Sequence, residues 1–455
     1  MSTIVAISTA PGIGGIGIIR MSGEDAFKIL DKVFCPKKKE NIDDIKGYTI
    51  KYGNIVDEKG KIIDEVLVSY FKAPKSYTAE NMCEISSHGG TVIMNKILDI
   101  CLKNGAEIAE AGEFTKRAFL NGRLDLSQAE AVIDVINSKT DKEAKVSIEQ
   151  LEGNLSNKIS KIRKQIISVM ADIEATIDYP EYDLEEVTNL KISNILDEVD
   201  KEFETLEKSF YNGKIIRDGI KTAIIGRPNA GKSSLLNVIL NEERAIVTDI
   251  EGTTRDTIEE FISVEGIPLK IIDTAGIRNA KDEVEKIGVN KAIEIAKKSD
   301  IVIAIFDITR IFNDEDKQIL DLVKEKNAII VLNKIDLQDN KKIKEIENLN
   351  KPIVRISTKT QEGIEKLYSE ITKMFKLNEI ATNEELIVSN NRHKKLILNA
   401  RENLNKAKET INNNMPIDII SSFMKEILEE LGKITGETVT EDVIQEIFSK
   451  FCLGK

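Results

Sequence analysis

The sequence predicts a multidomain protein of the α/β and α classes. An N-terminal α+β domain is followed by an α-helical domain into which an α/β phosphate-binding domain is inserted. The stretch Gly226–Ser234 has the spacing G-x-x-x-x-G-K-S between an apolar run and a helix-like run, as a phosphate-binding loop requires. Apolar residues at spacings of three and four recur on both sides of it, which is typical of amphipathic helices. The start of the chain instead has short β-branched runs, which favour strands.

Length and composition limit the class of protein. With 455 residues, the chain is expected to form about three domains. A content of 41% hydrophobic and 31% charged residues is ordinary for a globular protein. No apolar run reaches the roughly 18 residues of a membrane span, and no basic stretch precedes an apolar one at the start. We therefore expect no membrane association and no signal peptide.

Charge and cysteine content indicate the compartment and the partners. Four scattered cysteines without metal-ligand spacing favour the reducing cytoplasm over a disulfide framework. The formal net charge of -12 argues against a surface that coats nucleic acid broadly, although it allows a local basic patch. With only two histidines in the chain, a histidine-based metal site is disfavoured.

The region of residues 1–120 is predicted to form the α+β domain. Strands are expected at Ile4–Ile7, Asp64–Phe71 and Cys83–Gly90, and a helix at Thr91–Lys103.

A glycine-rich stretch follows the first predicted strand. Gly12, Gly14 and Gly17 formally satisfy G-x-G-x-x-G. A dinucleotide-binding motif would need a helix to begin there, whereas the residues that follow have an extended pattern. We therefore predict a glycine-rich turn beside a strand, on which Arg20 could face a ligand.

Two polar residues of the third predicted strand have open roles. Burial of Glu84 would be costly unless it bound something, but a solvated carboxylate at an edge is an equally good interpretation. His88 lies beside two glycines, which favours a turn residue over a catalytic one.

Helical stretches flank the phosphate-binding region. Before it, an apolar seam predicts a long helix that ends at Pro180, and a second helix is expected at about Ile192–Phe210. After it, helical periodicity returns, and Thr440 starts a last helix. The seam consists of Leu155, Ile159, Ile162, Ile166, Val169, Ile173 and Ile177.

These patterns predict one helical domain that is built from both sides of the inserted domain. The N-terminal domain is predicted at 1–120 and the inserted domain at 219–377. The two parts of the helical domain are predicted at 121–218 and 378–455.

Each residue of the phosphate-binding loop has a mechanical task. Gly226 and Gly231 let the backbone curl so that successive N–H groups point at phosphate oxygens. Lys232 places a positive charge on the β and γ phosphates, and the Ser233 hydroxyl can bind Mg²⁺. The helix that begins there adds its positive end.

Further motifs follow at the spacing of a nucleotide-binding domain. Thr248–Asp256 contains threonines that can close over Mg²⁺ and the γ-phosphate, and the aspartate of Asp273–Gly276 belongs near the metal. Asn333–Asp336 follows another strand, and its last aspartate accepts from guanine N1–H and N2–H₂, which adenine lacks. Ser357–Lys359 would complete the base pocket. Together they predict a Ras-like P-loop α/β G domain that binds and hydrolyses GTP.

One position in this set indicates an unusual mechanism. Small GTPases often carry a water-orienting glutamine after Asp-x-x-Gly, but Ile277 stands there and cannot orient water. Asn229 and the carbonyl-rich loop Thr248–Thr253 could hold a monovalent cation where an arginine finger otherwise reaches. The carboxylates just downstream, among them Glu285, are candidates to orient the water, although any one of them alone is more typical of a solvated helix face.

Five stretches together resemble the MnmE (TrmE) family of tRNA-modification GTPases, over essentially the whole chain. The last of them, with its Cys-x-Gly-Lys pattern, is far more diagnostic of that family than the GTPase motifs. The stretches are Gly112–Asn121, Gly226–Ser234, Thr248–Asp256, Asp273–Ile277 and Phe451–Lys455.

The resemblance implies a homodimer whose N-terminal domains are similar to folate-binding modules, with a helical domain interrupted by the G domain. It also implies a partner, the FAD-binding protein MnmG (GidA), in a heterotetramer or larger complex. Together they would convert carbon 5 of the wobble uridine of certain tRNAs to the carboxymethylaminomethyl form. A tetrahydrofolate derivative (5-formyl- or methylene-tetrahydrofolate) would bring the one-carbon unit, and GTP hydrolysis would drive dimerisation of the G domains.

The same resemblance implies roles for individual residues. Glu285 matches the carboxylate that orients the water, and Lys232 is expected to act with it in catalysis. Cys452 matches the family cysteine, whose chemical role is open. The Mg²⁺ ligands match Ser233 and Thr254. The potassium ligands match Asn229, Thr248, Ile250 and Thr253. The folate contacts match Arg20, Glu84, Arg123 and Lys455. The full GTP-binding set is Asn229, Ala230, Gly231, Lys232, Ser233, Ser234, Thr248, Asp249, Ile250, Glu251, Gly252, Thr253, Thr254, Asp273, Thr274, Ala275, Gly276, Asn333, Lys334 and Asp336.

Two interpretations from other classes compete with this one. A regulatory GTPase that assembles ribosomes would share the G motifs, but the tail lacks a basic RNA-binding module such as a KH-type Gly-x-x-Gly loop. A stand-alone folate enzyme would bind folate without GTP and would turn over regardless of nucleotide. The acidity of the chain suggests that tRNA is held by a local patch or by the partner.

Overall fold

The computed structural model describes residues 2–38, 46–178, 185–241, 245–246, 260–272, 294–337, 344–347, 349–376, 387–413 and 415–455. The chain forms two compact units. The first comprises residues 1–133, 150–189 and 403–455, and the second comprises residues 134–149 and 190–402. Among the helices of the described ranges, none combines the length and the apolar character needed to cross a membrane.

A seven-stranded sheet organises the N-terminal part of the first unit. Its strands are β1 (Ile4–Ile7), β2 (Gly14–Ser22), β3 (Phe34–Pro36), β4 (Thr49–Val56), β5 (Ile62–Phe71), β6 (Met82–Gly89) and β7 (Glu107–Ile108). The strand order is β3-β4-β5-β6-β2-β1-β7. Strand β7 pairs with β1 in parallel, and all other neighbours are antiparallel.

Fourteen helices of the described ranges can be numbered in chain order. They are α1 (Ala26–Val33), α2 (Thr91–Lys103), α3 (Glu113–Leu120), α4 (Leu126–Asn137), α5 (Asp141–Leu151), α6 (Asn154–Asp178), α7 (Glu185–Asp218), α8 (Lys232–Asn241), α9 (Asp314–Lys324), α10 (Lys344–Glu347), α11 (Ile364–Met374), α12 (Asn391–Asn412), α13 (Ile417–Thr435) and α14 (Glu441–Phe448). Helix α7 is longer than the predicted Ile192–Phe210. Helix α14 follows Thr440 as predicted.

The first sheet buries one face under helices α1 and α2. Alternate residues along β2 and β5, such as Ile19, Met21, Val66 and Val68, are almost completely buried, as the period of two in a strand requires. They share one hydrophobic core with both helices. The predicted α+β character of this region is therefore confirmed.

The predicted glycine-rich turn beside a strand is confirmed, because β2 begins at Gly14 and Gly17 pairs with Ser87 on β6. One prediction for this sheet was wrong. His88 lies in β6 and not in a turn. Its Nδ1 is 2.7 Å from Oδ1 of Asp64 on β5, so the cross-strand neighbour holds the imidazole.

Helix α6 carries the predicted apolar seam. Its residues from Leu155 to Ile173 at seam positions are buried, whereas Ile177 is 46% exposed. The seam packs against α13, which lies beyond the second sheet in the sequence. Arg163 of α6 donates to the carbonyl of Leu428 at 2.9 Å and to Oε2 of Glu437 at 2.6 Å. Helical segments from before and after the inserted region therefore pack together.

The second unit is built on a mixed sheet of seven strands. Its strands are β8 (Ile220–Ile225), β9 (Ala245–Ile246), β10 (Glu260–Val264), β11 (Ile267–Ile271), β12 (Ile301–Asp307), β13 (Ala328–Asn333) and β14 (Ile353–Ile356). The order is β14-β13-β12-β8-β11-β10-β9, and the five strands from β14 to β11 run parallel. Strands β12 and β13 are almost continuously apolar and buried, as expected for a sheet covered on both faces. The predicted α/β architecture is confirmed.

The carboxyl ends of the parallel strands meet at one edge of this sheet. Strand β8 leads into the loop Gly226–Gly231 and then into α8. Asp307 and Asn333, the last residues of β12 and β13, pair directly. Ligands of open α/β sheets bind at such an edge.

Residues 134–149, which precede the long helix α6, also belong to the second unit. Val146 of α5 is buried in the same core as Ile262 and Ile267 of the β10–β11 hairpin. Lys139 Nζ lies 3.4 Å from the centroid of the Phe261 ring, a cation–π contact. The sequence had suggested no such contact, because charged residues dominate this stretch.

Glu143 is a buried carboxyl group on α5. It is 6% exposed, and its Oε2 accepts from the main-chain N–H of Lys139 at 2.7 Å. Burial raises the pKa of Glu143 from 4.5 to about 7. The hydrogen bond and charge of Lys139 oppose this rise, as does the charge of Arg217, whereas Asp134 adds to it.

Glu143→Gln should remove a pH dependence of stability. Because the pKa of Glu143 is raised in the folded chain, its contribution to stability is complete below its ordinary value of 4.5 and is lost as the pH rises through about 7. Glutamine stays neutral and can accept the same hydrogen bond. We expect thermal unfolding of variant and parent to coincide at about pH 5, and the variant to melt a few °C higher at about pH 8.

Glu149→Gln on the same helix serves as the control. Glu149 is about one third exposed and pairs with Lys145. Its replacement should therefore change the melting temperature by the same amount at about pH 5 and at about pH 8. If the melting-temperature difference between Glu143→Gln and the parent were also the same at both pH values, the raised pKa of Glu143 would be contradicted.

Candidate functional site

The phosphate-binding loop curls tightly between β8 and α8. Gly231 has φ +109°, and a Cβ there would overlap the side-chain nitrogen of Asn333. Asn333 Nδ2 donates to the carbonyl of Ala230 at 2.9 Å, so the end of β13 lies directly under the loop. Only glycine combines this backbone conformation with this close approach.

The predicted phosphate-binding lysine lies inside this loop. Lys232 Nζ donates to the carbonyls of Gly226 at 2.8 Å and of Arg227 at 2.9 Å. Ser233 and Ser234 occupy the first turn of α8, where the positive end of a helix favours anions. The loop thus brings a cation and a helix N-terminus to one place.

Asn229 stands at the exposed rim of the loop. Its φ is +61°, a left-handed conformation that asparagine tolerates better than most residues. Its carbonyl accepts from Lys334 Nζ at 3.2 Å. The orientation of Asn229 is therefore tied to the residues after β13.

The predicted base pocket forms at the ends of β13 and β14. Ser357 Oγ donates to Oδ1 of Asp336 at 2.7 Å, which fixes one oxygen of the carboxylate predicted to bind guanine. Asn333 Oδ1 accepts from the main-chain N–H of Thr358 at 3.2 Å. Both loops that were predicted to contact the base therefore hold each other.

Several predicted site residues lie outside the described residues. They include the catalytic candidate and most predicted potassium and magnesium ligands, and for them the roles stay predictions. These residues are Thr248, Asp249, Ile250, Glu251, Gly252, Thr253, Thr254, Asp273, Thr274, Ala275, Gly276 and Glu285.

A second cluster of predicted site residues forms in the first unit. Arg20 and Glu84 face each other across β2 and β6. Oε1 of Glu84 accepts from Nε of Arg20 at 2.9 Å and lies 2.8 Å from its Nη2. The side chains are 13% and 22% exposed. Glu84 is thus a half-buried member of an ion pair and not a solvated carboxylate at an edge.

Aromatic rings flank this ion pair. The guanidinium carbon of Arg20 lies 5.3 Å from the centroid of the Tyr77 ring and 5.6 Å from that of Phe114. The guanidinium carbon of Arg123 is 4.9 Å from the same Tyr77 ring, and its Nη1 donates to the Tyr77 carbonyl at 3.1 Å. Tyr77 thereby connects two of the predicted folate contacts, although no sequence motif had indicated it.

The last residues of the chain contact the start of it. The Gly454 carbonyl accepts from Ser8 Oγ at 3.0 Å and from Arg20 Nη1 at 3.2 Å. Gly454 has φ +82°, and a Cβ there would overlap the carbonyl oxygen of Ile7. The Cys452 carbonyl accepts from the N–H of Gly112 at 3.3 Å. The predicted Cys-x-Gly-Lys segment is therefore bound against β1 and the start of α3.

Lys455 completes this cluster. Partial burial lowers the pKa of Lys455, and the charge of Arg20 lowers it further, whereas Glu84 and Cys452 act in the opposite direction. The Cys452 side chain is exposed. All the predicted folate contacts and the predicted cysteine thus lie in one neighbourhood.

Family models match both parts of the chain. The model described as "GTP-binding protein TrmE N-terminus" matches residues 3–123, and the model described as "MnmE helical domain" matches residues 126–452.

Several proteins named as tRNA modification GTPases are similar to this chain over almost their whole length. A protein of Acetivibrio thermocellus named "tRNA modification GTPase MnmE" is 51% identical over 100% of this chain and 99% of its own. Proteins with the same name from Clostridioides difficile and Desulforamulus reducens are 49% and 48% identical over the same shares.

Gly454→Ala should release the end of the chain from β1. A left-handed conformation costs an L-residue about 1–2 kcal/mol, and the added Cβ would overlap the Ile7 carbonyl oxygen. We expect the amide of Gly112, which donates to Cys452, to exchange its hydrogen roughly tenfold faster, as measured by hydrogen-exchange mass spectrometry.

Leu453→Ala is the matched control for this variant. Leu453 is its direct neighbour and is 66% exposed, so truncation should leave the exchange of Gly112 unchanged. Equal exchange in Gly454→Ala and in the parent would show that the bound conformation of the tail does not depend on the glycine.

Proposed function

The chain belongs to the MnmE family of tRNA modification GTPases, and on that premise we propose that it hydrolyses GTP during the modification of tRNA. The proposal rests on the hydrogen bonds that hold the phosphate loop and the base pocket in place. Asn333 holds the loop through the Ala230 carbonyl, and Ser357 holds the Asp336 carboxylate. A fixed carboxylate that accepts two hydrogen bonds from guanine discriminates strongly against adenine.

We propose further that potassium activates hydrolysis when two G domains dimerise. Asn229, the one predicted potassium ligand among the described residues, lies at the exposed rim of the loop, where a cation can reach the phosphates. Ser233, at the start of α8, would bind Mg²⁺ together with Thr254. Lys232 would exchange its carbonyl partners for phosphate oxygens, and Glu285 would orient the water.

The cluster around Arg20 is proposed to bind a tetrahydrofolate derivative. Its donor set fits such a ligand: Glu84 can accept from ring N–H groups, Arg20 and Arg123 can bind carboxylates, and Tyr77 offers an aromatic face. Lys455 and Cys452 lie beside them. The folate would supply the one-carbon unit when bound.

The remaining proposals concern assembly and the tRNA product. The protein would act as a homodimer in the cytoplasm with the FAD-binding protein MnmG, and the complex would modify carbon 5 of the wobble uridine to the carboxymethylaminomethyl form. The domain division into 1–120, 121–218, 219–377 and 378–455 is proposed as before, and the family models that match 3–123 and 126–452 support its first boundary. Membership in this family favours tRNA modification over ribosome assembly.

GTP hydrolysis should require potassium. We expect the purified protein to hydrolyse GTP on the order of tenfold or more faster in potassium than in sodium at equal ionic strength, because the cation neutralises charge where an arginine finger otherwise would. Asn229→Ala should lose that difference. Asn237→Ala, an exposed residue of α8, should keep it.

The outcomes of this comparison separate two proposals. Equal rates in both salts would contradict the potassium site while leaving a GTPase. No hydrolysis in either salt would contradict the GTPase itself.

Arg20→Ala should weaken the binding of 5-formyl-tetrahydrofolate. The variant removes a charged donor and leaves Glu84 without its ion-pair partner, which is expected to raise Kd roughly ten- to a hundredfold in isothermal titration calorimetry. Lys28→Ala removes an exposed cation of the same unit that pairs with Asp25 and should bind like the parent. If the Kd of Arg20→Ala equalled that of the parent, the proposal that the cluster around Arg20 binds the folate would be contradicted.

A further inference from the structure

Asp307, a residue that no motif had indicated, lies under the phosphate loop. It is the last residue of β12, and its side chain is 4% exposed. Oδ1 accepts from the main-chain N–H of Thr309 at 2.9 Å and from its hydroxyl at 2.6 Å. Burial alone would raise the pKa of Asp307, but the hydrogen bonds from Lys334 and Thr309 outweigh it, so the pKa is lowered. Asp307 is therefore a fixed anion.

The other oxygen of this carboxylate holds two cations. Oδ2 lies 2.6 Å from Nζ of Lys334 and 3.4 Å from Nε of Arg310. Each cation also donates to the phosphate loop. Arg310 Nη1 is 3.0 Å from the carbonyl of Pro228, and Lys334 Nζ is 3.2 Å from the carbonyl of Asn229. One buried anion thus directs two cations to two successive carbonyls.

Asn229, whose carbonyl accepts from Lys334, is also the residue on which the proposed potassium site depends. Asn229 and Lys334 both have positive φ, at +61° and +71°, and such conformations persist only where the surroundings hold them. The carbonyl bond from Lys334 fixes the backbone of Asn229, and the backbone sets the direction of its side chain.

We propose that Asp307 is a positioning residue for GTP turnover, which holds Lys334 and Arg310 against the phosphate loop and thereby presents Asn229 to the activating cation. The inference rests on the proposed potassium-dependent hydrolysis and deepens it. Lys334 lies within the guanine-binding motif, so the same carboxylate links the base pocket to the cation site.

A second buried carboxylate provides a matched control. Asp316 Oδ2 lies 2.9 Å from Nη1 of Arg227, another residue of the phosphate loop, and its side chain is 8% exposed. It therefore resembles Asp307 in burial and in its ion pair to the loop region. Among the described contacts it bonds to neither Lys334 nor the Asn229 carbonyl.

The experiment measures the potassium concentration that half-activates hydrolysis, at saturating GTP and constant ionic strength. For Asp307→Asn we expect this concentration to rise roughly tenfold, the scale on which a charge-assisted hydrogen bond exceeds a neutral one, while kcat at saturating potassium stays near that of the parent. Asp316→Asn should leave the half-activating concentration unchanged. Arg310→Ala removes one of the two cations held by Asp307. It should also raise the half-activating potassium concentration, but by less.

Each outcome decides the proposal. An unchanged half-activating concentration in Asp307→Asn, or an equal shift in Asp316→Asn, overturns it, because the effect would be absent or would reflect general loosening of the loop. If Asp307→Asn does not fold, the Arg310→Ala result decides in the same way. A parent enzyme without potassium activation would refute the proposed function itself, whereas a potassium-activated parent with unshifted variants refutes only the role of Asp307.

Discussion

Main-chain carbonyls of the phosphate loop need hydrogen-bond donors, because a curled loop has neither a helix nor a strand to satisfy them. Side chains supply the donors for five successive carbonyls, those of residues 226–230. Lys232 serves the first two and Asn333 the last. Arg310 and Lys334 serve the two between. Asn333, Arg310 and Lys334 can keep their carbonyls when Lys232 turns to phosphate, so N–H groups of the loop can still point toward the phosphate.

This arrangement depends on the register of two parallel strands. Asn333 ends β13, Lys334 follows it directly, and Arg310 lies three residues beyond the end of β12. Asp307, the last residue of β12, pairs with Asn333 at that edge. Side chains alternate between the faces of a sheet, so a slip of one residue would turn Asp307 away from Lys334. The continuous apolar burial of β12 and β13 fixes the register. Core packing therefore determines the geometry of a polar site.

Local patterns predicted the strand, loop and helix around Lys232, because each of those elements depends on neighbours in sequence. The roles of Asp307 and Tyr77 could not be predicted in this way. Asp307 acts on Lys334, which lies 27 positions away, and Tyr77 acts on side chains from β2 and from the loop after α3. The burial of Val146 was missed for the same reason, since the core that it joins is built from residues distant in sequence, among them Ile262 and Ile267 of the β10–β11 hairpin.

In both candidate sites, a carboxylate binds a cationic side chain that also donates to a main-chain carbonyl. Arg20 is bound by the Glu84 carboxylate and donates to the Gly454 carbonyl, as Lys334 is bound by Asp307 and donates to the Asn229 carbonyl. In each case a carboxylate lowers the cost of burying a cation, and the cation then orients backbone that has no regular structure. The two arrangements differ in geometry. The planar guanidinium of Arg20 binds the carboxylate and the carbonyl through separate nitrogens, whereas Lys334 binds both partners through its single Nζ. Lysine at position 20 could therefore conserve the charge but not both bonds.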